Sequence, residues 1–323
     1  MTPESPESPE SPESPETPVG NGPRPFERVL VTGASGFIGA HLAAELDRAG
    51  VEVIGTSRNP RPGPGPAWLR GDLVDPGFAR RCVDSAQPDA IFHLAGHVTG
   101  SRGLAQVLPT YHSLLTSSVN LLTAAAGWGD PVVVLVGSLE EPDQGSPAPA
   151  NSPYAAAKEA SRRYGEMFHA LFGTRVVYTR VSMAYGPHDP NPGRLVPYVI
   201  DCFRRGAVPR QSSGDRKADW IYVDDVVRGL AAAASSPRAV GATVDVGTGV
   251  THSVRDVVGL IAKAMGVPGD GEWGSLPDRA WERVTPADVG ATAQRCGWTS
   301  TVDLADGIRR TVETSCGSDA DKA

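Results

Sequence analysis

Short apolar runs separated by amphipathic stretches set the rhythm of this chain. Val29-Leu30-Val31, Val51–Ile54, Ala90–Leu94, Val132–Val136 and Arg175–Thr179 are all of strand length. Most are apolar throughout, as strands buried on both faces are. Between the first two, His41–Ala49 places Leu42, Leu46 and Ala49 at helical spacing and stops at Gly50. Phe78–Ser85, Thr110–Ala126 and Tyr154–Leu171 read as further helices, and Arg70–Asp72 as the end of another extended segment. Apolar strands alternating with helices predict an α/β fold whose doubly wound parallel sheet is covered on both faces. After residue 186 the texture changes. Pro187–Pro197 holds four prolines, and shorter elements follow. Residues 187–314 therefore read as a smaller region, with segments such as Thr243–Val246 returning to the main sheet.

Neither end of the chain shares this pattern. Residues 3–17 repeat Pro-Glu-Ser four times and then give Pro-Glu-Thr, with no apolar side chain. Such a segment buries too little surface to offset its ordering entropy, so residues 1–25 are expected to be a disordered tail and linker. Residues 315–323 are expected to fray. The tail also explains the charge. The 323 residues carry a formal −7, but five glutamates of the repeat (Glu4, Glu7, Glu10, Glu13 and Glu16) supply most of it, leaving −2 elsewhere. A near-neutral body gives no electrostatic reason to expect nucleic acid. No apolar run approaches a membrane span of about 20 residues. Four scattered cysteines (Cys82, Cys202, Cys296 and Cys316) suggest neither a metal site nor a disulfide framework. The expected home is the cytoplasm.

Chemistry first enters at Val29-Leu30-Val31-Thr32-Gly33-Ala34-Ser35-Gly36-Phe37-Ile38-Gly39. A strand runs into glycines spaced three apart and then into a helix. Gly33 permits the tight turn, Gly36 lets a pyrophosphate approach the backbone, and Gly39 lets helix and strand pack closely. The helix start supplies free N–H groups and positive potential. Residues 26–186 therefore read as a dinucleotide-binding domain, with Ser35, Phe37 and Ile38 in the cradle. Where an acidic residue would bind adenosine ribose hydroxyls, the chain has Ser57-Arg58, with Arg61 nearby. A hydroxyl and a cation suit a 2′-phosphate, which favours NADP over NAD. Asp72-Leu73 are placed to meet adenine. Leu94, Ala95 and Gly96 are placed to line the nicotinamide ribose.

Tyr154 and Lys158 lie four residues apart on one helix face, separated by alanines that let a cofactor approach. A phenol is a poor base at neutral pH. A nearby ammonium and an oxidised nicotinamide would pull it toward the working range. Lys158 can also hold the nicotinamide ribose. Ser138, at the end of the run Val132–Val136, can bond a substrate oxygen.

These residues resemble those of the extended short-chain dehydrogenase/reductase superfamily, and within it the nucleotide-sugar epimerase/dehydratase family. The resemblance covers roughly residues 28–312. It rests on Gly33/Gly36/Gly39, His93-Leu94-Ala95-Gly96, Ser138, Tyr154/Lys158, Tyr185-Gly186-Pro187 and Asp219–Asp225. It implies a Rossmann-type domain with a C-terminal substrate-binding region, a bound NADP or NAD, and a nucleotide-diphosphate sugar. It also implies a homodimer through a four-helix contact of Thr110–Ala126 and Tyr154–Leu171. The implied substrate residues are Ser138, Met183, Arg194, Arg216 and Arg279. Two positions depart from the family pattern: Ala218 replaces a common arginine, and Met183-Ala184 replaces an asparagine region.

Proton removal by Tyr154 with hydride transfer at sugar C4 serves a 4-epimerase, a 4,6-dehydratase or, in reverse, an NADPH-dependent 4-keto-sugar reductase. A dehydratase also needs an acid and a base. In Ser138-Leu139-Glu140-Glu141, Leu139 cannot be an acid, and Glu140 stands where one dehydratase pattern has its base. Epimerase chemistry stays equally open. A cofactor-sensing protein without chemistry is the reading from another class, and such proteins typically lose the Tyr or the Lys.

Overall fold

A computed structural model describes residues 26–60, 65–143, 145–269, 271–279 and 284–317. The expected tail, Arg61 and the last six residues lie outside them.

The first half alternates as the apolar runs predict. Strand β1 (Arg28–Thr32) leads to helix α1 (Phe37–Arg48), then β2 (Glu52–Ser57), β3 (Ala67–Arg70), α2 (Pro76–Ala86) and β4 (Ala90–His93). A long helix follows in three parts: α3 (Val107–Thr110), a π turn (Tyr111–Thr116) and α4 (Ser117–Ala126). Then come β5 (Val132–Ser138), α5 (Pro153–Phe172), β6 (Val176–Val181) and β7 (Met183–Tyr185). The second half holds α6 (Leu195–Arg204), β8 (Lys217–Tyr222), α7 (Val223–Ser235), β9 (Thr243–Val246), β10 (Thr251–Ser253), α8 (Val254–Met265), α9 (Val289–Cys296) and α10 (Leu304–Gly317). Residues 315–317, expected to fray, are the last turn of α10.

Seven strands form one parallel sheet in the order β3-β2-β1-β4-β5-β6-β9. This is the doubly wound Rossmann arrangement. Alternate side chains enter opposite cores. Val29 and Val31 join Leu42, Phe92, Val134 and Leu230 on one face. Leu30 joins Phe78, Ile91, Leu121, Leu135 and Phe168 on the other. Thr243–Val246 does return to the sheet: Arg180 grips Asp245 through two bonds of 2.7 and 2.9 Å across β6 and β9. A three-stranded sheet, β10-β8-β7, packs with α6, α8 and α10 around Ile200, Trp220, Ile261 and Ile308.

The strand order reverses between β1 and β4, and the crevice at their carboxyl ends is where such sheets bind ligands. The helix facing it departs from expectation. It starts at Val107 rather than Thr110 and widens into a π turn. Thr110, Ser117 and Ser118 return their hydroxyls to carbonyls four residues back, at 2.5, 2.6 and 2.6 Å. Such back-bonding bends helices. The π turn points Leu114 at Tyr154 and Ala157.

Candidate active site

The loop after β1 has the geometry a dinucleotide needs. Gly33 sits at φ +68°, and a Cβ there would lie 2.8 Å from the Ala95 nitrogen. A Cβ on Gly39 would run into the Gly33 carbonyl oxygen. Gly36 is different: its Cβ direction meets only that oxygen, at 3.1 Å, and otherwise opens outward. Gly36 is also the N-cap of α1, with no side chain bonded to the free N–H groups. These residues fit a pyrophosphate held on backbone N–H groups.

Side chains around the cradle fix its walls. Ser35 and Ser57 hydroxyls bond at 2.7 Å, tying the glycine loop to the end of β2. Arg58 stands exposed beside them, its carbonyl accepting from Arg70 at 3.2 Å. Leu73 is buried, and Asp72 turns its carboxylate onto the Val74 N–H at 3.0 Å. Asn120 of α4 bonds the carbonyls of Leu73 and Val74, both at 2.9 Å. The helical pattern of the sequence hid that role. Leu94, Ala95 and Gly96 follow β4, and a Cβ on Gly96 would collide with Leu114. Thr32 Oγ1 bonds His93 Nδ1 at 2.8 Å and accepts from the Ala95 N–H at 3.1 Å. Burial, reinforced by the Lys158 charge, drives His93 down to about 3, so the ring is neutral. His93 therefore works as a strut between β1, β4 and α4.

Helix α5 carries the candidate proton-transfer pair in its first two turns. Ser152 caps it by accepting from the Ala155 N–H at 3.1 Å, and Pro153 pre-sets the first turn. Tyr154 and Lys158 are both buried. The Lys158 ammonium bonds the Val136 carbonyl and sits 5.8 Å from the Tyr154 ring centre. Ser138, at the end of β5, stands against Tyr154 and lowers its phenol. All three expected residues meet at the carboxyl edge of the sheet.

The protein's own electrostatics run against the expected lowering of the phenol. Burial first, then the charges on Glu140 and Glu141, hold Tyr154 well above its usual value. Ser138 and Arg194 oppose them less strongly. Burial lowers Lys158 to about 8, while Glu141 pulls it back up.

Of the expected substrate side chains, Ser138 and Arg194 act on the Tyr154 phenol. Arg216 reaches Glu140 at 3.4 Å, both partly exposed. Arg194 bonds Asp189 and the Ala184 carbonyl at 3.1 and 3.0 Å, with its guanidinium 5.6 Å from the Phe37 ring. It thus faces the start of α1. Arg279 packs against Gly100, and Met183 opens β7. Asp219 is a structural carboxylate, accepting from Thr248, Gly249 and Ala287 N–H groups at 2.8–3.2 Å. Among the described residues no helix is long and apolar enough to cross a membrane. No group of three or more side chains there could hold a metal ion.

Comparison with known proteins agrees with this geometry. Residues 29–247 match the model of the NAD dependent epimerase/dehydratase family. The chain is 32% identical over 313 residues to dTDP-glucose 4,6-dehydratase of Streptomyces griseus, covering 88% of this chain and 92% of that protein. It is 29% identical to UDP-glucose 4-epimerase of Mycolicibacterium smegmatis, covering 88% and 97%. A solved double mutant of DesIV, a dTDP-glucose 4,6-dehydratase from Streptomyces venezuelae with NAD bound, superposes with a TM-score of 0.80 at 26% identity, covering 90% and 97%.

Proposed function

This chain belongs to the NAD dependent epimerase/dehydratase family, among the extended short-chain dehydrogenase/reductases, and on that premise we propose that it oxidises a nucleotide-diphosphate sugar at C4 and completes either epimerisation or 4,6-dehydration. One observation carries this reading: Ser138, Tyr154 and Lys158 converge beside the glycine cradle at the crevice of a doubly wound sheet.

Gly33, Gly36, Gly39 and the start of α1 would hold the cofactor pyrophosphate, with Ser57 and Arg58 at the adenosine end and Lys158 at the nicotinamide ribose. Bound there, an oxidised nicotinamide would supply the hydride acceptor and a positive charge that stabilises a phenolate. Tyr154 Oη takes the C4 hydroxyl proton, and Ser138 Oγ donates to the same sugar oxygen. Lys158 keeps positive charge near the phenolate. Buried Leu114 excludes water from behind the ring. Glu140 is the candidate base for loss of water from C5 and C6, and Arg216 holds its carboxylate at the cleft. Leu139 is buried and supplies no acid. Incubation with a panel of nucleotide sugars, read by mass spectrometry, separates the outcomes. Loss of one water assigns dehydration; an isomer of unchanged mass assigns epimerisation. No change with any sugar overturns the proposal.

The exposed Arg58, with no carboxylate at the end of β2, supports NADP. It also supports a second reading, reduction of a 4-keto sugar, which the same panel detects as a gain of two hydrogens that requires NADPH. Assembly as a homodimer is supported by apolar side chains exposed on adjoining helices: Val107, Leu108 and Tyr111 on one, Leu171 and Phe172 on the other.

A further inference from the structure

Beneath the candidate site lies a buried polar group that the chemistry above does not use. Glu141 is 1% exposed and Arg162 is also 1% exposed. Glu141 Oε1 accepts from the Ser138 backbone N–H at 2.7 Å and from the Tyr178 hydroxyl at 2.7 Å. The same hydroxyl lies 2.8 Å from the carbonyl oxygen of Lys158, so its proton is shared between the loop after β5 and the backbone of α5. Arg162 Nε stands 3.6 Å behind Glu141 Oε2. Gly137 is shaped around this group: a Cβ there would overlap both the Tyr178 hydroxyl and Glu141 Oε1. Burying an ionisable pair costs more than packing apolar side chains into the same space, which makes a purely space-filling role a poor account of it.

We propose that Glu141 is a positioning residue, joining the backbone of Ser138 to that of Lys158 through the Tyr178 hydroxyl and so setting both side chains against Tyr154. The proposal rests on the functional reading above for what those side chains do. Ser138, Tyr178, Lys158 and Arg162 face Glu141, and Arg162 in turn meets Glu159 at 3.9 Å and Glu166 at 3.0 Å; Glu140 and Arg194 act on Tyr154, and His93 stands against Lys158. A Glu141 charge raises the Lys158 ammonium, so removing it lowers the pH at which Lys158 loses its proton.

The test measures Lys158 directly, without cofactor or sugar, by the pH dependence of its acetylation with acetic anhydride, read by peptide mass spectrometry. In Glu141→Gln the half-labelling pH should fall from about 8 by about one pH unit. Tyr178→Phe keeps the ring and the Glu141 carboxyl but cuts the link to α5. It should lower kcat about tenfold or more with KM changed less than twofold, because misplacement penalises the transition state. Gly137→Ala should reproduce that pattern. Variants that melt as the wild type yet keep wild-type kcat overturn the proposal, as does an unmoved Lys158 titration in Glu141→Gln. If Glu141→Gln does not fold, the volume-matched pair Glu141→Gln with Arg162→Met carries the titration. If no nucleotide sugar is turned over by the wild type, the functional reading fails, and the labelling of Lys158 still decides this one.

Discussion

Tyr154 can serve as a base only if something offsets its burial and the two carboxylates that hold the phenol up. Ser138, Arg194 and a cationic ligand are the available offsets, which makes the site interdependent. Tyr154→Phe keeps the ring and its packing on Leu114, and should reduce turnover about 10³-fold with little change in melting temperature; turnover within tenfold of wild type would remove the residue from the chemistry. His93 gives a second prediction. Its folded value near 3 lies below the unfolded value of 6.5. Between those values the unfolded chain takes up a proton that the folded chain refuses. Stability contributed by the neutral ring is therefore full above about 6.5 and lost as pH falls, by about 1.4 kcal/mol per pH unit. Urea unfolding at pH 7 and pH 5 should show a smaller loss in His93→Asn than in wild type; equal losses would contradict this. The residue types of the site were legible because their spacing carries chemistry. The interlocks were not. Nothing in the pattern around Asn120, Tyr178 or Glu141 announces a partner, since each bonds across elements distant in the sequence.

At the scale of elements, the cradle and α5 are set by local rules. A Cβ on Gly39 has nowhere to go but into the backbone of the preceding turn. Gly39→Ala should therefore lower the melting temperature, while Gly36→Ala, whose Cβ direction is open to the ligand, should leave folding largely intact and abolish dinucleotide binding, measured by calorimetry. Equal binding in all three proteins would argue against the cradle. Ser152→Ala removes the cap of α5 and should cost about 1 kcal/mol of stability, with a larger loss in kcat than in KM because Tyr154 lies in the capped turn. In the first half the strands and helices were readable to within a few residues, because parallel strands buried on both faces leave unbroken apolar runs; the helices after residue 186 were read only as short elements. The π turn was not readable. It arises from hydroxyls competing for backbone carbonyls, and Thr and Ser in a helical pattern look ordinary until their partners are seen.

At the scale of the whole molecule, the charge of −7 sits mainly in a tail outside every motif, so under the proposed function placed groups, not net charge, would hold the anionic ligands. Ser57→Asp with Arg58→Ala should shift cofactor preference toward NAD; an unchanged ratio of affinities would count against NADP. The central claim is hydride transfer at C4, and deuterium at that carbon tests it most directly. Hydride that leaves the sugar and returns within one closed site never exchanges with water. With the nucleotide sugar that the panel identifies, labelled at C4, the account predicts a primary isotope effect on kcat/KM and a product that keeps its deuterium, whether the product is an isomer or has lost water. Deuterium washed out into solvent, or a rate blind to the label at every pH, would contradict it.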